Sequence, residues 1–273
     1  METLSTKTII YDCNCPLCNL YTNVFLKIGV LGKNGRVSFE QADRDMLEKL
    51  DLSRARHEIP LIDTETGEVL YGLDGLTLIV SKIFPATKFF ITKPWFKKML
   101  LPLYKFISYN RRVIAGTGTS DGKFDSTPDF SLPWRMALIV FGISFTGLSI
   151  YLFSVITGIT QTVFLFGSVF MYFLLMLLFN QIFHKNFEQK IDYLAHLSVL
   201  GIIESTLFIA TAFVAKFTGL TGLLFAAQGA CRLFALWMHD KRVRNNHFST
   251  YTNFAFALGA VALIVVLAIL KNY

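Results

Sequence analysis

Hydrophobic and polar positions along the chain fall into two regimes. As far as residue 116 the apolar runs are short and interrupted; beyond residue 134 they are long and nearly unbroken. In the first regime, Thr8 to Tyr11 reads as a β-strand and Asn19 to Val30 as a helix. Gly32-Lys33-Asn34-Gly35 reads as a turn, and Arg36 to Gln41 alternates Val37 and Phe39 with polar residues as a second strand. Asp43 suits the N-cap of a helix running to about Leu50. Ile59 to Asp63 is the third strand, Thr64-Glu65-Thr66-Gly67 a hairpin turn, and Glu68 to Tyr71 the fourth strand. A helix over about Leu76 to Phe84 follows. The order βαβαββα predicts a thioredoxin-like core. Pro60 opens the third strand, where such folds carry a cis-proline facing a cysteine pair; local preference alone favours trans.

The second regime predicts membrane spans, each needing ~20 mainly apolar residues. Five stretches qualify: about Met136–Thr157, Gln161–Phe183, Leu194–Ala215, Leu220–Met238 and Phe248–Leu270. The fourth is the weakest because it contains Gln228 and Arg232. Dropping it would leave four spans.

Composition sharpens the division. The chain is 53% hydrophobic and 16% charged, too apolar for an ordinary soluble protein of 273 residues. Residues 1–134 carry 17 Lys/Arg and 15 Asp/Glu; residues 135–273 carry 9 and 4. The basic excess lies beside the spans and calls for no nucleic acid. Basic loops alternate with nearly uncharged ones, which places the N-terminal domain in the cytoplasm and the C-terminus outside. Met1 to Lys7 is polar, and the run after it is too short for a signal peptide. The expectation is an integral protein of a bacterial inner membrane. Its organisation is an α/β thioredoxin-like domain over 1–116, a linker over 117–134 and an all-α transmembrane bundle over 135–273.

Chemistry concentrates where the first strand hands over to the first helix, at Tyr11-Asp12-Cys13-Asn14-Cys15-Pro16-Leu17-Cys18. Pro16 suits the first helical position, where its missing N–H is not needed. Cys15 would then sit where free N–H groups and the helix dipole favour a thiolate. Cys18 lies one turn on, within reach of Cys15 for a disulfide. Two other readings stand beside this one: inert buried cysteines, and soft-metal binding by Cys13, Cys15 and Cys18, without a nearby His or further Cys to close a zinc site. Asp12 either accepts a proton from Cys18 during exchange or binds the backbone of its own turn. His57 lies in a charged loop and reads as a solvated surface residue.

With these residues in view, the chain resembles the thiol-disulfide oxidoreductase DCC family over about residues 6–116. The matching residues are Asp12, Cys15 and Cys18, the Gly35-Arg36-Val37-Ser38-Phe39 segment, Tyr71-Gly72-x-Asp74-Gly75, and Tyr109-Asn110-Arg111-Arg112. The resemblance implies a thioredoxin-like fold and a redox role for Cys15 and Cys18. Cys13 departs from the pattern, which more often has Gly there, and adds a thiol that competes for the disulfide.

Two further features extend the picture. Over 85–112, lysines such as Lys88, Lys93, Lys97 and Lys98 interleave with Phe89, Phe90, Trp95 and Phe96, and Pro94 and Pro102 should break the segment into short helices. Such a segment suits an anionic membrane surface, or packs its apolar face on the sheet. Inside the spans, Glu204, Gln228 and Arg232 are costly in lipid, and their depths predict a Glu204–Arg232 pair. That pair either holds helices in register or forms a polar site for a proton, a quinone headgroup or a partner subunit. Three functions follow as expectations: a membrane-anchored oxidoreductase acting on a client protein or low-molecular-weight thiol without a cofactor; a non-catalytic subunit or assembly factor of a larger membrane complex; and a metallochaperone.

Overall fold

Four strands build the sheet of the first unit: β1 (Lys7–Tyr11), β2 (Arg36–Ser38), β3 (Pro60–Asp63) and β4 (Val69–Tyr71). The computed structural model describes residues 3–118, 126–158, 162–219 and 221–271. The chain divides into Met1–Trp134 and Arg135–Tyr273. The sheet order is β2-β1-β3-β4, with β1 parallel to β2 and antiparallel to β3, and β3 antiparallel to β4. Successive strand residues face opposite ways, so Ile9 and Leu61 enter one layer and Ile10 and Ile62 the other. The first layer packs with Phe25, Val30, Leu31 and Ile79, beneath α1 (Pro16–Lys27) and α4 (Leu73–Ile83). The second packs with Phe39, Leu50 and Ala55, beside α2 (Arg44–Glu48) and α3 (Leu52–Ala55). Both faces are covered, which is why Ile9-Ile10 of β1 and Leu61-Ile62 of β3 are apolar at consecutive positions. Each fully buried Ile or Leu contributes roughly 1.5–3 kcal/mol.

Local chemistry closes the connections. Asp63 Oδ1 accepts from the N–H groups of Glu65 and Thr66 at 2.9 and 3.1 Å, fixing the expected hairpin turn. Asp51 caps α3 through the Arg54 N–H at 3.0 Å. The Ile59–Pro60 bond is trans: no cis peptide occurs among the described residues.

Beyond α4 come a short 3-10 turn (Pro85–Thr87), α5 (Lys88–Ile91) and α6 (Pro94–Ala115). Pro102 does not break α6, contrary to the sequence expectation. It lies on the exposed face, where a missing N–H and the bulk of the ring disturb no packed neighbour. Phe84, Phe89, Phe90, Trp95, Met99 and Leu103 are also exposed. The last turns of α6 point inward, burying Ser108, Asn110, Arg111 and Arg112.

The second unit comprises α7 (Leu132–Thr157), whose first turn belongs to the first unit, α8 (Thr162–Phe183), α9 (Phe187–Thr218), α10 (Thr221–Asn245) and α11 (Tyr251–Lys271). Among the described residues, three helical segments are long and apolar enough to cross a membrane: Leu132–Thr157, Phe166–Phe183 and Phe187–Thr218. A shorter apolar stretch, Tyr251–Ala262, lies in α11. Residues Met176, Tyr193, Leu200, Ala235, Phe248 and Phe256 form the common core of α8 to α11. At Gly142 a Cβ would meet Ser198 Cβ at 2.6 Å, so α7 and α9 touch where only glycine fits. Gly259 of α11 likewise receives the ring of Tyr172. The linker's central residues 119–125 and the expected starts of two spans, Gln161 and Leu220, lie outside the described residues.

Candidate functional site

Cys15 occupies the N-cap of α1, with extended backbone angles, and Pro16 opens the helix. The Cys15 sulfur accepts the N–H of Cys18 at 3.3 Å, which answers one of the unpaired amides of the first turn. The Cys18 thiol also hydrogen-bonds the Cys15 sulfur, and this bond is the largest influence lowering the Cys15 thiol to about 7. Burial opposes it; the Cys18 N–H and the charge of Arg111 assist. Cys18 moves the other way, pushed far up by the same hydrogen bond and by burial. Of the two sulfurs, Cys15 therefore ionises first and Cys18 keeps its proton. Cys13 stands apart, with its thiol raised by burial and by the neighbouring Glu40. All three are free thiols.

The turn is fastened from two sides. Arg36 at the start of β2 donates to Thr22 Oγ1 at 2.8 Å and lies 3.9 Å over the Tyr11 ring. Thr22 in turn donates to the Cys18 carbonyl at 2.7 Å. On the other side stands Asp12, only 4% exposed. Its Oδ1 accepts from the Asn14 N–H at 3.0 Å and from Arg112 Nη2 at 3.0 Å. Its Oδ2 lies 2.9 Å from Arg112 Nη2 and 3.7 Å from Arg111 Nη2. Asp12 thus holds the turn through Oδ1 and pairs with two buried guanidinium groups, while its buried Oδ2 accepts no hydrogen bond among the described residues.

Cys18 opens onto a cavity of about 320 Å³ that Leu17, Asp12, Tyr21, Tyr104 and Arg111 also line. Apart from Ser108 its walls are otherwise apolar, including Phe25, Phe39 and Ile59. Burial pushes Tyr104 up to about 12 and raises Tyr21 as well, so both hydroxyls stay neutral. The Tyr104 hydroxyl accepts from the Ile59 N–H at 3.3 Å. Pro60 is buried behind this wall and does not line the cavity; its neighbour Ile59 does. Cys15 has no exposed surface. A sulfur covered in this way cannot be reached by a bulky protein disulfide without movement of its cover.

Comparison with family models, curated proteins and solved structures finds no match for this chain.

Among the described residues no group of three or more His, Cys, Asp or Glu side chains is placed to hold a metal ion, and Cys13, Cys15 and Cys18 do not form one. His57 differs from its expected solvated state. Its ring stacks on Tyr109 at 4.5 Å, and its Nε2 lies 2.9 Å from Asp129 Oδ2. The chain after the central linker residues is therefore bound back to the domain: Ser126 is buried, and its carbonyl accepts from Arg111.

In the second unit, Arg232 Nη1 lies 2.6 Å from Glu204 Oε1, and its guanidinium sits 5.0 Å over the Phe208 ring. Gln228 is buried one turn before Arg232 on α10. Sequence reasoning missed Tyr21, Tyr104 and the clamping role of Arg111 and Arg112. One signal was present: no acidic residue lies between Asp74 and Asp121, so two adjacent arginines entering a core need a distant carboxylate.

Proposed function

We propose that this chain is a membrane-anchored thiol–disulfide oxidoreductase, with a thioredoxin-like domain of the DCC type and small disulfides as its substrates. The observation that carries this reading is the Cys15 sulfur at a helix N-cap, taking two hydrogen bonds from Cys18 beside a cavity. The βαβαββα order and the β2-β1-β3-β4 sheet support the fold assignment. The Cys15 thiolate attacks one sulfur of the substrate disulfide, forms a mixed disulfide and expels one thiolate. Cys18 then attacks the Cys15 sulfur, its proton passing to the departing thiolate. A Cys15–Cys18 disulfide results, and two electrons have moved from the protein to the substrate. The size of the cavity onto which Cys18 opens favours a low-molecular-weight disulfide over a protein client.

All five helices α7 to α11, of 21 to 32 residues, act as spans in this reading. At ~1.5 Å per residue each reaches about 30 Å or more. Lys241, Arg242 and Arg244 at the end of α10 belong on the cytoplasmic side with the cysteine domain. That compartment keeps the dithiol reduced between turnovers. The exposed Phe89, Phe90 and Trp95, with Lys88 and Lys93 beside them, rest on the inner leaflet.

The test is a mixed disulfide. The full-length Cys18→Ser protein, treated with glutathione disulfide, should gain one glutathione at Cys15 by mass spectrometry, and the Cys15→Ser,Cys18→Ser protein none there. A folded Cys18→Ser protein that takes up glutathione only after denaturation contradicts the proposal. That result would favour the second reading, which the complete burial of Cys15 supports: an accessory or assembly subunit whose domain docks a partner.

A further inference from the structure

The second unit holds a cavity of about 260 Å³ lined from all five helices, α7 to α11. This exceeds the roughly 150 Å³ that accommodates a benzene ring in an engineered protein cavity. Phe153, Phe166, Phe170, Phe173 and Phe208 line it, which suits a flat ring. At the polar end stand Glu204 and Arg232, whose charges cancel across 2.6 Å. A charged ligand head would gain little there.

Four buried polar atoms here have no hydrogen-bond partner among the described residues: Glu204 Oε1, which faces Arg232 Nη1 at 2.6 Å, and three that can donate, the Tyr172 hydroxyl, Arg232 Nε and Gln228 Nε2. Tyr172 and Arg232 line the cavity, and the Tyr172 ring is seated against Gly259, which fixes where its hydroxyl points. Buried donors left unpaired are costly, so a molecule completing this site brings acceptors. Access is from the side: Ile143 and Phe170 line the cavity and are 47% and 60% exposed on the helical surface.

We propose that this cavity binds a neutral lipophilic molecule with a planar, carbonyl-bearing head, its carbonyl oxygen accepting from Tyr172 and Arg232. The site is separate from the cysteine chemistry and does not depend on it.

A decyl-substituted benzoquinone serves as probe for the full-length protein in detergent micelles, with binding read by native mass spectrometry. Saturable one-to-one binding is expected. Tyr172→Phe, which removes only the hydroxyl, should weaken it about tenfold. Among the described residues, a Cβ at Gly147 would meet the Phe166 ring alone, at 3.9 Å, so Gly147→Leu has space to fill the cavity. That variant should abolish binding while keeping the wild-type melting temperature. Absence of saturable binding, or wild-type affinity in Tyr172→Phe, overturns the proposal. Oleate binding as tightly as the quinone would overturn the neutral head.

Discussion

Arg112 Nη2 hydrogen-bonds Asp12 Oδ1 at 3.0 Å and lies 2.9 Å from Oδ2, joining residues 100 positions apart in the chain. Both side chains are about 95% buried. Asp12 follows β1 directly and Arg112 lies in the last turn of α6, so this ion pair ties the cysteine turn to that helix. Asp12→Ala leaves a buried guanidinium without its carboxylate, at a cost of about 3–5 kcal/mol. The expected result is a lower unfolding midpoint for the first unit, seen as faster limited proteolysis of the full-length protein between residues 1 and 116. An unchanged proteolysis rate would contradict the clamp.

The cysteine pair carries a pH signature. The Cys15 thiol falls from an ordinary value of 9.0 to about 7 in the folded chain. Because the folded value is the lower one, the thiolate's contribution to stability is fully present above pH 9 and is lost as pH falls towards 7. Thiolate absorbance of the folded protein should titrate with a midpoint near 7. Cys18→Ala removes the principal donor, so its midpoint should move up towards 9. Arg111→Gln should move it in the same direction by less.

How far the sequence revealed this site depends on the range of each interaction. The handover from β1 to α1 was legible because it is local: an apolar run, Pro16 at the first helical position and Cys15 just before it. The Asp51 cap of α3 was equally local but passed unread in a charged stretch. The Asp12 clamp was not legible as such, because its partners lie on α6 and nothing in the spacing announces them. Pro102 misled for the opposite reason: a local helix-breaking preference was overridden by packing of the rest of α6. In the second unit, depth along adjacent helices was enough to expect the Glu204–Arg232 contact, since helical rise is regular.

That buried ion pair makes a double-variant prediction. Glu204→Leu alone strands Arg232 and should lower the melting temperature in detergent strongly, by about 3–5 kcal/mol of stability. Glu204→Leu with Arg232→Leu should recover much of the loss, because two apolar side chains leave no charge unpaired. Equal destabilisation by the single and double variants would show that the two groups do not act as a pair.

Gly142 offers a test of helix packing free of charge effects. A methyl group there would lie 2.6 Å from Ser198 Cβ and 3.0 Å from the Ser198 carbonyl oxygen, so α7 and α9 must separate to admit it. Gly142→Ala should cost about 1–3 kcal/mol, read as a lower melting temperature in detergent. Gly167→Ala, whose added Cβ meets nothing within 4 Å among the described residues, should leave the melting temperature unchanged or raised.

The account rests on Cys15 and Cys18 being a working redox couple, and an equilibrium titration of the full-length protein against glutathione and dithiothreitol buffers tests this most directly. The expected outcome is one reversible two-electron transition involving these two sulfurs, at roughly −320 to −220 mV, the range of the cytosolic thiol pool. A pair that stays reduced across the whole range in the folded protein, and forms a disulfide only after unfolding, would contradict the account.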